Sequence, residues 1–177
     1  MDRFVKILRN QKCNILIAGI GSEFYGDDAV GIIIAEKLSK VLSTNERVKI
    51  TVCGNSPDRI MGMINQEQPD ELIFVDVVEF GGSPGDAAFF NSADFESRFP
   101  QISTHKISLS LIAQMIEYNG KTRVWFLGIQ PATLKLNSLL SPEVNKTAET
   151  IIKLIRSELS SGEKNSSSDS VNNYAYT

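Results

Sequence analysis

One histidine, His105, and two cysteines, Cys13 and Cys53, are the whole stock of imidazole and thiol in this 177-residue chain. The cysteines lie at the start and end of separate apolar runs with no Cys-x-x-Cys spacing, so a cysteine-based metal site is excluded. The expectation is two reduced, half-buried thiols in a cytoplasmic protein. There is no Gly-x-Ser-x-Gly elbow and no His-Glu-x-x-His pair. An excess of one charge is also missing: Lys+Arg 18 against Asp+Glu 21 leaves −3, which gives no electrostatic reason to expect nucleic acid or an anionic membrane as partner. No apolar run approaches the ~20 residues of a membrane helix. The opening MDRFVKILRNQKC has neither the apolar h-region nor the small-residue cleavage site of a signal peptide.

What is present is the composition of a globular domain, 42% hydrophobic and 22% charged, in a chain of one-domain length. Short apolar runs alternate with helical patterns. CNILIAGI (13–20) and ELIFVDVV (71–78) read as buried parallel strands, and RVKITVC (47–53) alternates as a strand nearer the sheet edge does. TRVWFLGI (122–129) is a further strand, and DAAFFN (86–91), after the turn GGSPGD, an antiparallel addition. Helical spacing runs from Ala29 to Leu42, more weakly from Pro57 to Asn65, over 103–118 with Ser103 or Thr104 as cap, and over 141–159 with Pro142 in the first turn. This rhythm predicts right-handed βαβ units: a single-domain, three-layer α/β/α sandwich with a twisted, mostly parallel sheet over residues 1–161. From Gly162 the chain turns polar and Ser/Asn-rich, and 162–177 is expected to be a disordered tail.

Ligands of an open α/β sheet bind outside the carboxyl ends of its strands. GIGSEFYGDDAVG (19–31) occupies that position after the first strand. As a phosphate loop it is damaged, because Phe24 stands where the third glycine of Gly-x-Gly-x-x-Gly belongs and Asp27 and Asp28 would face the anion. The acids are the more informative half. Asp27 is expected to cap the helix opening at Ala29, with about 1 kcal/mol lost on replacement by alanine. A second carboxylate cannot share the cap, which leaves Asp28 available for chemistry. Asp76 interrupts a run otherwise fit for full burial, where an ionised carboxylate is costly unless paired or bound to metal. His105, placed at a helix start, would be held neutral by the helix dipole and so be able to bind a metal. Two carboxylates and one imidazole suit a borderline divalent ion such as Ni²⁺ or Zn²⁺ with positions left open.

Taken in order, GIGSEFYGDDAVG, LIFVD, the PG of GGSPGD, THKISLSLI and FLGIQP resemble the hydrogenase maturation endopeptidases, most closely the branch serving hydrogenase-3-type [NiFe] enzymes. The resemblance runs from about Asn14 to Leu159. It implies a protease that trims the C-terminal extension from the nickel-loaded hydrogenase large-subunit precursor. The nickel, replaceable in vitro by zinc or cadmium, would arrive in the substrate and be read by Asp28, Asp76 and His105, through which the resemblance makes these three the catalytic set. Gly54 and Asn55, in the loop after the second strand, are implied to meet the substrate. Two departures stand out: Ser22 replaces the usual Asn after Gly-x-Gly, and CGNSPD carries only Gly54 where the family often has paired glycines. The alternatives are a non-enzymatic maturation chaperone of the same fold and a nucleotide-binding protein. Nothing in the sequence demands more than a monomer.

Overall fold

The computed structural model describes residues 1–98, 108–118 and 120–166. Five strands, β1 (Ile15–Ile20), β2 (Val48–Gly54), β3 (Glu71–Val77), β4 (Ala87–Asn91) and β5 (Arg123–Ile129), form one sheet in the order β2-β1-β3-β5-β4. All neighbours are parallel except β4, which runs antiparallel to β5 at the edge, as the run DAAFFN suggested. The helices are α1 (Asp2–Arg9), α2 (Val30–Val41), α3 (Ile60–Glu67), α4 (Ser92–Arg98), α5 (Leu109–Tyr118) and α6 (Pro142–Ser166).

Strand alternation sends successive side chains to opposite faces. Ile15 and Ile17 of β1 therefore join Ile73, Val75 and Leu127 in one core, under α1, α2 and α6. Leu16, Ala18 and Ile20 join Leu72, Phe74 and Phe126 in a second core, under α3, α4 and α5. The three-layer α/β/α arrangement follows. Among the described residues, no helix is long and apolar enough to cross a membrane.

Two boundaries differ from the sequence reading. The helix expected over 103–118 begins at Leu109: Ser108 is outside it and accepts the Ile112 amide, which places it in the capping position. Ser103 and Thr104, the expected caps, lie outside the described residues. The closing helix continues beyond Leu159 to Ser166, so residues 162–166 are helical and not part of an unstructured tail. Two helices were not foreseen. The first, α1, buries Phe4, Ile7 and Leu8, and its carboxyl end is held by Arg47, whose guanidinium donates to the carbonyls of Leu8, Asn10 and Cys13 at 2.8, 3.1 and 3.1 Å. The second, α4, follows β4 directly and buries Phe95.

One crossing positions the ligand edge. A side chain at Gly31 would put Cβ 2.1 Å from the Val75 carbonyl oxygen and 2.3 Å from that of Ile20, and one at Gly19 would lie 2.3 Å from the Gly31 carbonyl oxygen. The first turn of α2 therefore lies directly on the ends of β1 and β3. Gly31→Ala should cost about 3 kcal/mol or more, because backbone carbonyls cannot rotate aside as side chains do. The helix-propensity gain of about 1 kcal/mol does not offset that. Thermal unfolding should show a melting temperature lowered by about 6–12 °C; an unchanged transition would contradict this close packing.

Candidate active site

Asp27 and Asp28 lie in a 3₁₀ turn, Gly26–Ala29, between β1 and α2. The capping position of α2 is taken by Ala29, which has no side-chain cap bond. Asp27 instead points back into the protein, fully buried. Its Oδ2 accepts the Ala132 and Thr133 amides at 2.7 and 2.9 Å and the Ser141 hydroxyl at 3.0 Å, and Oδ1 accepts the Ser141 amide at 2.6 Å. Its own amide donates to the Thr133 carbonyl at 3.1 Å. The expected cap is thus replaced by a clamp that ties the β1–α2 loop to the long β5–α6 loop, residues 130–141.

Asp28 is the next residue of the same turn. It is 6% exposed, and its turn packs against β3. The Ser22 amide donates to the Asp28 carbonyl at 3.2 Å. Asp76, 8% exposed, sits opposite Gly128 near the end of β3, and its Oδ1 accepts the following Val77 amide at 2.8 Å. Gly31 links the two acids in space: it rests on the Val75 carbonyl, one residue before Asp76, and lies one helical turn after Asp28. Both carboxylates are therefore gathered at the carboxyl edge of adjacent strands. The third expected residue, His105, lies outside the described residues. Among those described, no group of three or more His, Cys, Asp or Glu side chains forms a metal cage.

The neighbouring loops are tied into the same rim. Gly54 ends β2 with φ +56°, a conformation glycine adopts without strain, and its carbonyl accepts the Gly21 amide at 3.2 Å. Asn55 follows it, exposed. On the other side, Gln130 Oε1 accepts the amides of Phe80, Gly81 and Gly82 at 2.9, 3.0 and 3.2 Å and so fixes the loop after β3 to the end of β5. The sequence reading missed both clamps, Asp27 and Gln130. For Gln130 a signal was present, since it lies in the segment FLGIQP directly after a strand.

The same bonds dispose of the phosphate cradle. Amides that such a loop would aim at an anion are spent internally: Tyr25 on the Ser22 carbonyl at 3.4 Å, Asp28 on that of Tyr25 at 3.2 Å, Phe24 on the Ser22 hydroxyl at 3.4 Å. Ser22 thus makes a local side-chain-to-amide turn.

Not every buried acid marks this edge. Glu71, 1% exposed, opens β3 at the opposite end of the sheet, where Trp125 Nε1 donates to it at 2.7 Å and Arg123 pairs with its other oxygen. It is a satisfied structural carboxylate.

The cysteines are free, and both are buried rather than half-buried. Burial, aided by the Glu71 and Asp70 carboxylates, pushes the Cys13 thiol up to about 11. Burial, opposed by Arg59, also pushes Cys53 up to about 11. At pH 7 only about one in 10⁴ such thiols is thiolate, so neither is a nucleophile. Ellman's reagent should label neither thiol in the folded protein and both after denaturation; rapid labelling of the native protein would contradict this.

An open, mostly parallel sheet with two buried aspartates at its carboxyl edge defines an α/β protein of the class whose ligands bind at that edge. Comparison with known proteins is more specific. Residues 32–158 match the family model of the hydrogenase maturation protease HycI, a span that includes Asp76 and His105 and begins just after the Asp27–Asp28 turn. The hydrogenase 3 maturation protease of Escherichia coli K12 is 29% identical over 133 residues, 75% of this chain and 82% of that one. The crystal structure of the [NiFe] hydrogenase maturation protease HycI from Thermococcus kodakarensis KOD1 matches with a TM-score of 0.79 at 30% identity, over 89% of this chain and 99% of that one. The E. coli hydrogenase maturating endopeptidase HybD shares the fold, with a TM-score of 0.68 at 22% identity over 84% and 93% of the two chains. The chain belongs to the HycI hydrogenase maturation protease family.

Proposed function

We propose that this protein removes the C-terminal extension from the nickel-loaded large-subunit precursor of a [NiFe] hydrogenase, and that it recognises the nickel already in place. The observation that carries this reading is the pair Asp28 and Asp76, both buried at the carboxyl ends of adjacent strands in a chain of this protease family. With His105 they form a donor set of two carboxylates and one imidazole, which fits a borderline ion such as Ni²⁺. Held there, the ion supplies polarisation of the scissile carbonyl.

The chain's own residues do the rest. Asp28, Asp76 and His105 position the substrate's nickel. Gly54 and Asn55, on the rim beside Gly21, meet the peptide. Asp27 and Gln130 hold the surrounding loops in register, so that the edge is ordered before substrate arrives. In this reading the ion enters with the substrate, and the isolated monomer, working in the cytoplasm, carries no activity against other proteins. The test is to incubate the purified chain with nickel-loaded large-subunit precursor and record intact masses. A single loss at the precursor's C-terminus is expected. A precursor of unchanged mass, with the protease folded, would refute the assignment and leave a maturation chaperone of this fold as the reading.

A further inference from the structure

Among the described residues, eleven large apolar side chains are exposed, and five of them sit on just two loops at the carboxyl edge of the sheet. Phe24 (63% exposed) and Tyr25 (46%) belong to the loop after β1; Leu134 (37%), Leu136 (60%) and Leu139 (89%) belong to the loop after β5. The two loops are joined. The Asn137 amide donates to the Phe24 carbonyl at 2.7 Å, and Asp27 clamps residues 132, 133 and 141 from below. Within the second loop the Ser138 hydroxyl donates to the Lys135 carbonyl at 2.7 Å. A loop pinned by its own backbone cannot fold these side chains inward, and clustered exposed apolar side chains on an ordered surface mark a contact site.

We propose that this rim is the docking surface for the body of the protein substrate: it receives an apolar patch of the large-subunit precursor next to the segment to be cut. The inference rests on the function proposed above. Two observations and one general argument select this occupant. The rim is continuous with the candidate active site, since Tyr25 lies three residues before Asp28 and Asp27 binds both loops. A metal-reading donor set alone would accept any exposed nickel site, so discrimination between proteins needs contact outside it. The flanking charges, Glu23 and Lys135, are one of each sign, so the partner surface is selected by apolar burial and not by steering.

The test uses the full chain with Phe24→Ser and Leu136→Ser combined, both at exposed positions, and a second double variant, Met115→Ser with Tyr118→Ser. Met115 and Tyr118 are also exposed and apolar, but Tyr118 ends α5 at the opposite edge of the sheet. Processing of nickel-loaded precursor is followed over a concentration range, with melting temperatures as a folding check. The rim variant should lose about 30-fold or more in kcat/KM, the loss appearing as a raised KM. The α5 variant should match wild type. If the wild-type protein processes the precursor and the rim variant processes it equally well, the docking surface is refuted while the function stands. A loss appearing equally in the α5 variant would also refute it. So would a wild-type dimer in sedimentation that the rim substitutions dissociate, because the rim would then be a contact between two copies. If wild type itself leaves the precursor uncut, the proposed function fails, and this inference with it.

Discussion

Asp27→Asn, a change of one oxygen to an amide nitrogen, is expected to destabilise the protein by about 3 kcal/mol, and Asp27→Ala by about 3–5 kcal/mol. Three backbone amides and one hydroxyl converge on this carboxylate, and the group is fully buried. Hydrogen bonds to a charged acceptor are worth about 1.5–3 kcal/mol each, and a buried donor left without a partner costs a comparable amount. Removing the desolvated charge returns part of this, which keeps the net below the sum. Asparagine is the sharper test. It keeps the volume but turns an NH₂ toward amides that can only donate. A cap would behave otherwise, with asparagine nearly equivalent to aspartate. The melting temperature of Asp27→Asn should fall by about 6–12 °C. A shift of a degree or two would show that the clamp is not what holds the β5–α6 loop.

Asp76→Asn should give the opposite pattern, with folding retained and processing lost by about 10²–10³-fold or more. Asparagine Oδ1 can still accept the Val77 amide that Asp76 now accepts at 2.8 Å, so the strand end is preserved. What disappears is the negative charge that a divalent ion requires, and the ion's charge stabilisation is worth several kcal/mol in the transition state. Asp28→Asn is expected to behave alike. The contrast between the adjacent acids is the informative part. Asp27 variants should lose stability first, whereas Asp28 variants should lose activity at unchanged melting temperature. Wild-type cleavage rates by folded Asp76→Asn would remove Asp76 from the site.

How much of this the sequence made legible follows from the range over which each residue acts. The strands 71–78 and 122–129 were readable because buried parallel strands are nearly all apolar. Asp76 stood out because it breaks that rule inside one of them. The role of Asp27 was hidden because its partners lie 105 to 114 residues away. Local spacing offers a helix cap, and a long-range clamp leaves no local pattern to oppose it. For α1, Phe4, Ile7 and Leu8 do carry helical spacing, but over eight residues that signal is short. For α4 a single buried side chain, Phe95, gives no periodicity at all. Family membership, by contrast, was legible from the order of five short motifs, and the matched family model supports it.

The most direct test of the account is intact-mass analysis of one hydrogenase large-subunit precursor prepared in two forms, nickel-loaded and nickel-free, each incubated with the wild-type chain. The account predicts a C-terminal mass loss in the nickel-loaded form alone. Equal cleavage of both forms would contradict it, because Asp28, Asp76 and His105 would then not be reading the metal.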